Sequence, residues 1–302
     1  MRRGWLFGVG LVAGVGLFLT ACGASKPRPD LAFDSTRDGD YAVFAMNEDG
    51  NRQIRLTSAK GDASSPEALF FQIDPAWSPN GRLLAFASKR SGTFHIYVMK
   101  SDGSGSRQLT STSVDDAHPT WSPNGRSIAF DRGASGRLYV MKTDGTGVHR
   151  ITDDTADETD PAWSPRGDWI AYVRKTPGTE ARELWLVRPD GSGRRQLTSL
   201  GAVSESPAWS PDGRRVAFSS TGGGLKYQIY SVDIDGKGVR KLTRSLADAF
   251  EPAWSPDGKT IAFARGGSIV TIDSHGNEKE LTDPANNDSS PAWNPKPPGK
   301  WG

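Results

Sequence analysis

The phrase SPAWSPDGRRVAFSS, Ser206 to Ser220, constrains this chain more than any other feature, because nearly the same words open at four other places. Those copies begin at Asp74, His118, Asp160 and Glu251, and a further one starts at Ser290 and breaks off. The tryptophans of the six copies, Trp77, Trp121, Trp163, Trp209, Trp254 and Trp293, are spaced by 44, 42, 46, 45 and 39 residues. Copies of one sequence must fold alike, and units this small bury their faces only by stacking on one another.

Each copy reads the same way. After the tryptophan comes a turn, SPNG, SPRG or SPDG, in which proline presets one dihedral and glycine accepts a positive one. An alternating triplet follows: Leu84-Ala85-Phe86, Ile128-Ala129-Phe130, Ile170-Ala171-Tyr172, Val216-Ala217-Phe218 or Ile261-Ala262-Phe263. It marks a strand whose small middle residue lets a neighbour press close. A variable loop leads to a second alternating run, a second turn of the DGSG type, and a short strand ending in LT or IT. Four short antiparallel strands in about 40–45 residues make one propeller blade. Before the first complete phrase, Leu31 to Phe33, Val43 to Met46 and Ile54 to Thr57 supply the second, third and fourth strands of a unit without its first. Pro291 to Pro295 is a first strand with nothing after it. The two fragments complete one another. The expectation is an all-β, six-bladed β-propeller over residues 31–295, closed by pairing of its N- and C-terminal segments, with a tail at 296–302.

The unit PxWSPDG…IAF…DGSG…LT resembles the TolB-like, WD-type propeller repeat of bacterial envelope proteins, across essentially all of residues 31–295. The resemblance implies the fold, while function varies widely among folds of this kind. TolB itself carries a separate N-terminal α/β domain, and only eight residues stand here between Cys22 and the first strand. The resemblance therefore does not carry TolB's own role in the Tol–Pal system, although it leaves an envelope interaction platform in view. Similar propellers gate prolyl-oligopeptidase-like peptidases, whose hydrolase domain lies beyond the propeller; this chain ends at Gly302.

With 35 glycines and 20 prolines among 302 residues, the composition suits many turns and few helices. Apart from Arg2 and Arg3, basic and acidic side chains balance at 35 each. Nothing in that balance suggests nucleic acid, whose binding rests on clustered Lys and Arg. MRR followed by the apolar run Leu6 to Leu19 is short for a bilayer span and suits a secretory signal. LTAC, Leu19 to Cys22, resembles the bacterial lipobox, in which signal peptidase cuts before the cysteine and diacylglycerol is joined to its thiol. That resemblance implies a removed peptide at 1–21, lipidation of Cys22, and a flexible tether at 22–30. It places the protein outside the cytoplasm, lipid-anchored on a periplasmic or outer cell-surface face. The other reading is an ordinary signal peptide or an uncleaved anchor. Cys22 is the single cysteine, so no internal disulfide can form.

In a propeller the second-to-third loops and the blade connections share one face, around the channel mouth. The six connections hold fifteen acids against two bases, Lys60 and Arg244. That segregation predicts a negative mouth, attractive to cations or to a basic partner. The residues entering each blade, Asp74, His118, Asp160, Ser206, Glu251 and Ser290, should ring it. The competing reading is that these acids only solvate loops and cap turns. The first connection contains Leu69, Phe70, Phe71 and Ile73, which either plug the channel or stay exposed as a partner-binding loop. Bases at the start of the fourth strand, among them Arg107, Arg195, Arg240 and Lys279, read as protection of the outer edge.

Catalysis finds little footing. His95, His118, His149 and His275 fall at different stages of the repeat, and no GxSxG elbow is present. The sequence points to a lipid-anchored, monomeric, non-enzymatic platform that binds an envelope protein or peptide of basic character. No cofactor is expected beyond a divalent cation at the acidic mouth. One alternative is a small-ligand or cation receptor using the channel. Another is a propeller-type polysaccharide lyase, which needs at least two histidines converging near a mouth carboxylate.

Overall fold

Strands this short, punctuated by proline–glycine turns, pair with their chain neighbours in five of six four-stranded antiparallel sheets, and the sixth joins the two ends of the described chain. It is a computed structural model describing residues 29–57, 71–152 and 156–295. The signal segment, Cys22, most of the tether, Leu69, Phe70 and the tail lie outside the described residues. Blade 1 comprises Gln72–Trp77, Leu83–Ser88, His95–Lys100 and Arg107–Gln108, from innermost to outermost. Blades 2 to 5 repeat that order over residues 116–150, 158–196, 204–241 and 249–280. In blade 6 the innermost strand is Asp288–Trp293, taken from the far end of the chain, and it pairs with Leu31–Ser35. The register sets Leu31 opposite Trp293 and Ser35 opposite Asp288. The one helical element among the described residues is a 3-10 turn at Pro284–Asn286, and no helix there is long and apolar enough to cross a membrane.

The repeated words each have a local physical reason. In SPNG and SPDG the serine hydroxyl donates to the Asn or Asp two residues on, as Ser78 Oγ does to Asn80 Oδ1 at 2.9 Å. The same hydroxyl accepts the N–H five residues on, Leu83 N at 2.9 Å, and so closes the turn onto the second strand. The threonine of the final LT or IT accepts a main-chain N–H from the third strand in every blade. In blade 1 this is Ile96 N to Thr110 Oγ1 at 3.0 Å. Ala32, Ala85, Ala129, Ala171, Ala217 and Ala262 are fully buried, as are the aromatics that follow them, Phe33, Phe86, Phe130, Tyr172, Phe218 and Phe263. The tryptophans stitch blade to blade: the indoles of Trp77, Trp121 and Trp209 donate to the carbonyls of Ala292, Ala76 and Ala162 in the preceding blades.

Candidate functional site

Every innermost strand carries the same irregularity. In blade 1 the register jumps between Ile73 and Ala76, so Asp74 and Pro75 together stand opposite Phe86. Blades 2 to 6 do the same, which makes six β-bulges in the ring. Proline has no N–H to leave unpaired at such a place. The residue before it takes a left-handed backbone: φ is 55° at Asp74, 48° at His118, 52° at Asp160, 53° at Ser206, 55° at Glu251 and 49° at Ser290. A non-glycine residue there is uncommon and costs about 1–3 kcal/mol, and such positions collect at functional sites.

These six residues are the ones the repeat singled out, and the structure brings all six together. With their prolines, and with Thr159, Arg182 and Glu205, they line one axial opening of about 470 Å3. Carboxylates hold the bulge in blades 1, 3 and 5 (Asp74, Asp160, Glu251), and His118, Ser206 and Ser290 hold it in blades 2, 4 and 6. The residue after the second-strand aromatic alternates in the opposite sense: Ala87, Val173 and Ala264 in odd blades, Asp131, Ser219 and Asp34 in even ones. The two alternations interlock. Asp160 N donates to Asp131 Oδ2 at 2.9 Å and Glu251 N to Ser219 Oγ at 2.9 Å. Ser206 N donates to Asp160 Oδ2 at 3.2 Å and Ser290 N to Glu251 Oε2 at 2.7 Å. A side chain of the preceding blade thus caps the strained N–H of the next. Asp34, Asp131 and Ser219 escaped the sequence reading because they sit inside strands rather than at blade entries. Their signal was a polar residue wherever the bulge lacked an acid.

Charge at the mouth is crowded. His118 Nδ1 bonds Asp131 Oδ2 at 2.7 Å, while its Nε2 lies 3.4 Å from Asp160 Oδ1 and 3.7 Å from Asp74 Oδ2. The His118 side chain is 40% exposed, but toward the channel it lines. Burial opposes charge on this ring, yet Asp131, Asp160 and Asp74 outweigh it and hold its pKa well above the ordinary value. The carboxyls move up as well. Burial, and then the neighbouring Asp74 charge, raise Asp34. Burial raises Asp74 against the opposing pull of His118. Burial and the Asp34 charge push Glu251 up to about 8. Glu205 is also raised by burial, although Arg182 sits 3.0 Å away.

The loop residues that are described lie elsewhere. Phe71 stacks on Tyr41 at 4.9 Å and meets Phe94 edge-on at 6.2 Å, and Ile73 sits half-buried in the innermost strand of blade 1. His95 is buried beside Thr93, and His149 and His275 are exposed on blades 2 and 5. His118 is the one histidine lining the mouth among the described residues. Its side chain, with Asp131 and Asp160, forms a group close enough to hold a metal ion.

Comparison with known proteins places these features. A family profile described as the TolB beta propeller domain matches residues 67–182 and 178–298. The Tol-Pal system protein TolB of Thioalkalivibrio sulfidiphilus is 32% identical over 73 residues, covering 23% of this chain and 17% of that protein. The curated relatives are much longer than the stretch they share, which reaches at most 29% of their length. Among solved structures, TolB from Acinetobacter baumannii superposes with a TM-score of 0.76 at 21% identity, covering 89% of this chain and 67% of that one. An oligogalacturonate lyase from Vibrio parahaemolyticus superposes with a TM-score of 0.58 at 15% identity, covering 84% and 74%. Identities this low speak for the fold and no further.

Proposed function

Because this chain belongs to the TolB beta propeller domain family, we propose that it is a non-enzymatic binding platform of the bacterial envelope, which holds a protein or peptide by basic groups entering the acidic mouth. We place it outside the cytoplasm as a monomer, attached to a membrane through the lipid on Cys22. Relatives named as Tol-Pal system proteins support the envelope and the protein partner. One observation carries the rest. Asp74, Asp160 and Glu251 converge on a single opening, with Asp34 and Asp131 behind them, and burial and mutual repulsion raise the pKa of Asp34, Asp74 and Glu251. A cation arriving there relieves that repulsion. The lyase reading needs at least two mouth histidines, and the single one among the described residues weighs against it.

The proton balance supplies the test. Rising pH ionises the raised carboxyls of Asp34 and Glu251 and so makes the mouth more negative. Affinity for a short oligolysine peptide should therefore rise by about tenfold or more between about pH 5.5 and about pH 8. It should collapse in Asp74→Asn/Asp160→Asn/Glu251→Gln. Equal binding by both proteins, or a flat pH profile, would remove the mouth from the account. Phe70→Ala/Phe71→Ala, compared in capture of partners from native membranes, tests the proposed contribution of the first connecting loop.

A second reading rests on the imidazole. Asp131 fixes Nδ1 and leaves Nε2 facing Asp160 and Asp74, the arrangement by which a carboxylate orients a metal-binding histidine. In that case a divalent cation would raise the melting temperature, and His118→Ala would abolish the rise.

A further inference from the structure

A cleft of about 660 Å3 opens at the seam between blades 4 and 5. It lies where the innermost strand of blade 5 ends at Trp254, the end opposite its mouth residue Glu251. Its floor is the edge of the apolar core around Leu242, Ile261 and Ile272. Its walls are cationic: Arg215, Arg240, Lys241, Arg244 and Lys259. Asp273 and Glu278 also line it, but both are engaged. Asp273 accepts the N–H groups of His275 and Asn277 at 2.8 and 2.9 Å, and Glu278 pairs with Arg265 at 2.7 Å. Lys259 lies 3.7 Å from Asp257, and Arg215 stacks 5.0 Å above the Trp254 ring. The side chains of Arg240, Lys241 and Arg244 have no hydrogen-bond or ion-pair partner among the described residues.

The other seams show what is different here. Arg107 and Arg195 hold the position of Arg240 in blades 1 and 3, and each reaches across to a carbonyl of the next blade. Arg107 Nη2 meets Thr143 O at 2.7 Å, and Arg195 Nη2 meets Ile234 O at 2.6 Å. Lys279 of blade 5 does the same, to Asp49 O at 3.1 Å. Arg240 makes no such bond, and its seam stands open. Opposite it in the ladder is Ser231, where blades 1 and 3 place Val98 and Leu186. The smaller side chain leaves room and adds a hydroxyl. Arg244 then supplies a cation at the place held by Ser111, Asp153, Ser199 and Asp283 in the other complete blades.

Cations gathered around an apolar floor repel one another, and an anion of more than one charge satisfies several at once through charge-assisted hydrogen bonds. We propose that this seam binds a multivalent oxyanion, carrying phosphate or carboxylate groups, through Arg240, Lys241 and Arg244. Ser231 and Ser245 supply hydroxyl donors beside them. The propeller then presents opposite charge on its two faces, acidic at the channel mouth and basic at this seam.

Calorimetric titration of the purified full chain with pyrophosphate and with citrate, at about 150 mM salt, tests the site under physiological screening. Lys241→Ser/Arg244→Ser, both at exposed positions, should raise Kd at least about tenfold, and adding Arg240→Ser should raise it further. Lys100→Ser/Lys142→Ser removes the same charge from the ends of the third strands in blades 1 and 2, and should leave Kd within about twofold. Preference for one anion identifies the oxyanion, and comparable affinity for both fits the shared chemistry. If the unsubstituted protein binds neither, or the two charge-matched variants weaken binding equally, the site is refuted.

Discussion

At the residue scale the mouth is a set of groups held in costly states by their neighbours. Glu251 combines a left-handed backbone with a carboxyl pushed up to about 8 by burial and by Asp34. A pKa raised on folding contributes stability that is fully present below the unfolded value and lost as pH rises through the folded one. Between its ordinary value of 4.5 and about 8, therefore, Glu251 progressively withdraws stability. Glu251→Gln keeps the acceptor for the Ser290 N–H and cannot ionise. Thermal melts should show the two proteins close near about pH 5 and the variant higher by about 2–4 °C near about pH 9. A variant that melts lower at the alkaline end would mean that the carboxylate is stabilised in a way the geometry does not contain. The six bulge positions were readable in the sequence, because the repeat forces equivalent residues to equivalent places. Their left-handed backbone was not, since it follows from two residues facing one across a ladder.

At the element scale, most words of the repeat prove to be hydrogen-bond devices. The LT or IT ending looks like a strand signal, but its threonine also caps the third strand. The hydroxyl accepts a buried N–H there, in blade 1 that of Ile96. Thr110→Val keeps the shape and removes the acceptor, leaving that N–H unsatisfied. The expected cost is about 1–3 kcal/mol in chemical denaturation, with Thr110→Ser recovering most of it. A valine variant as stable as the parent would reduce the motif to β-propensity. Bases opening the fourth strand read from sequence as edge protection. In the fold Arg107, Arg195 and Lys279 tie one blade to the next, a contact between units that no pattern within a unit can display.

At the scale of the whole molecule, one innermost strand comes from the opposite end of the chain. Asp288–Trp293 pairs with Leu31–Ser35 and also supplies the carbonyl of Ala292 to the Trp77 indole of blade 1. Deleting residues 288–302 removes that strand and uncovers blade faces on both sides. Unfolding should lose its single cooperative transition and spread over a wide range of denaturant, as in an open repeat array. A truncated chain with an unchanged sharp transition would show that the other five blades hold their ring without it. The sequence by itself determined the number of units, the strands within each and the residues at every blade entry, because a repeat multiplies one local pattern and local patterns are governed by period, turn chemistry and side-chain size. Only the tertiary structure decided which carboxyls crowd together, how Asp34, Asp131 and Ser219 interlock with the bulges, and which seam stays open. Those outcomes depend on distances across blades, where a single substitution such as serine for valine at 231 changes the room available without disturbing the pattern.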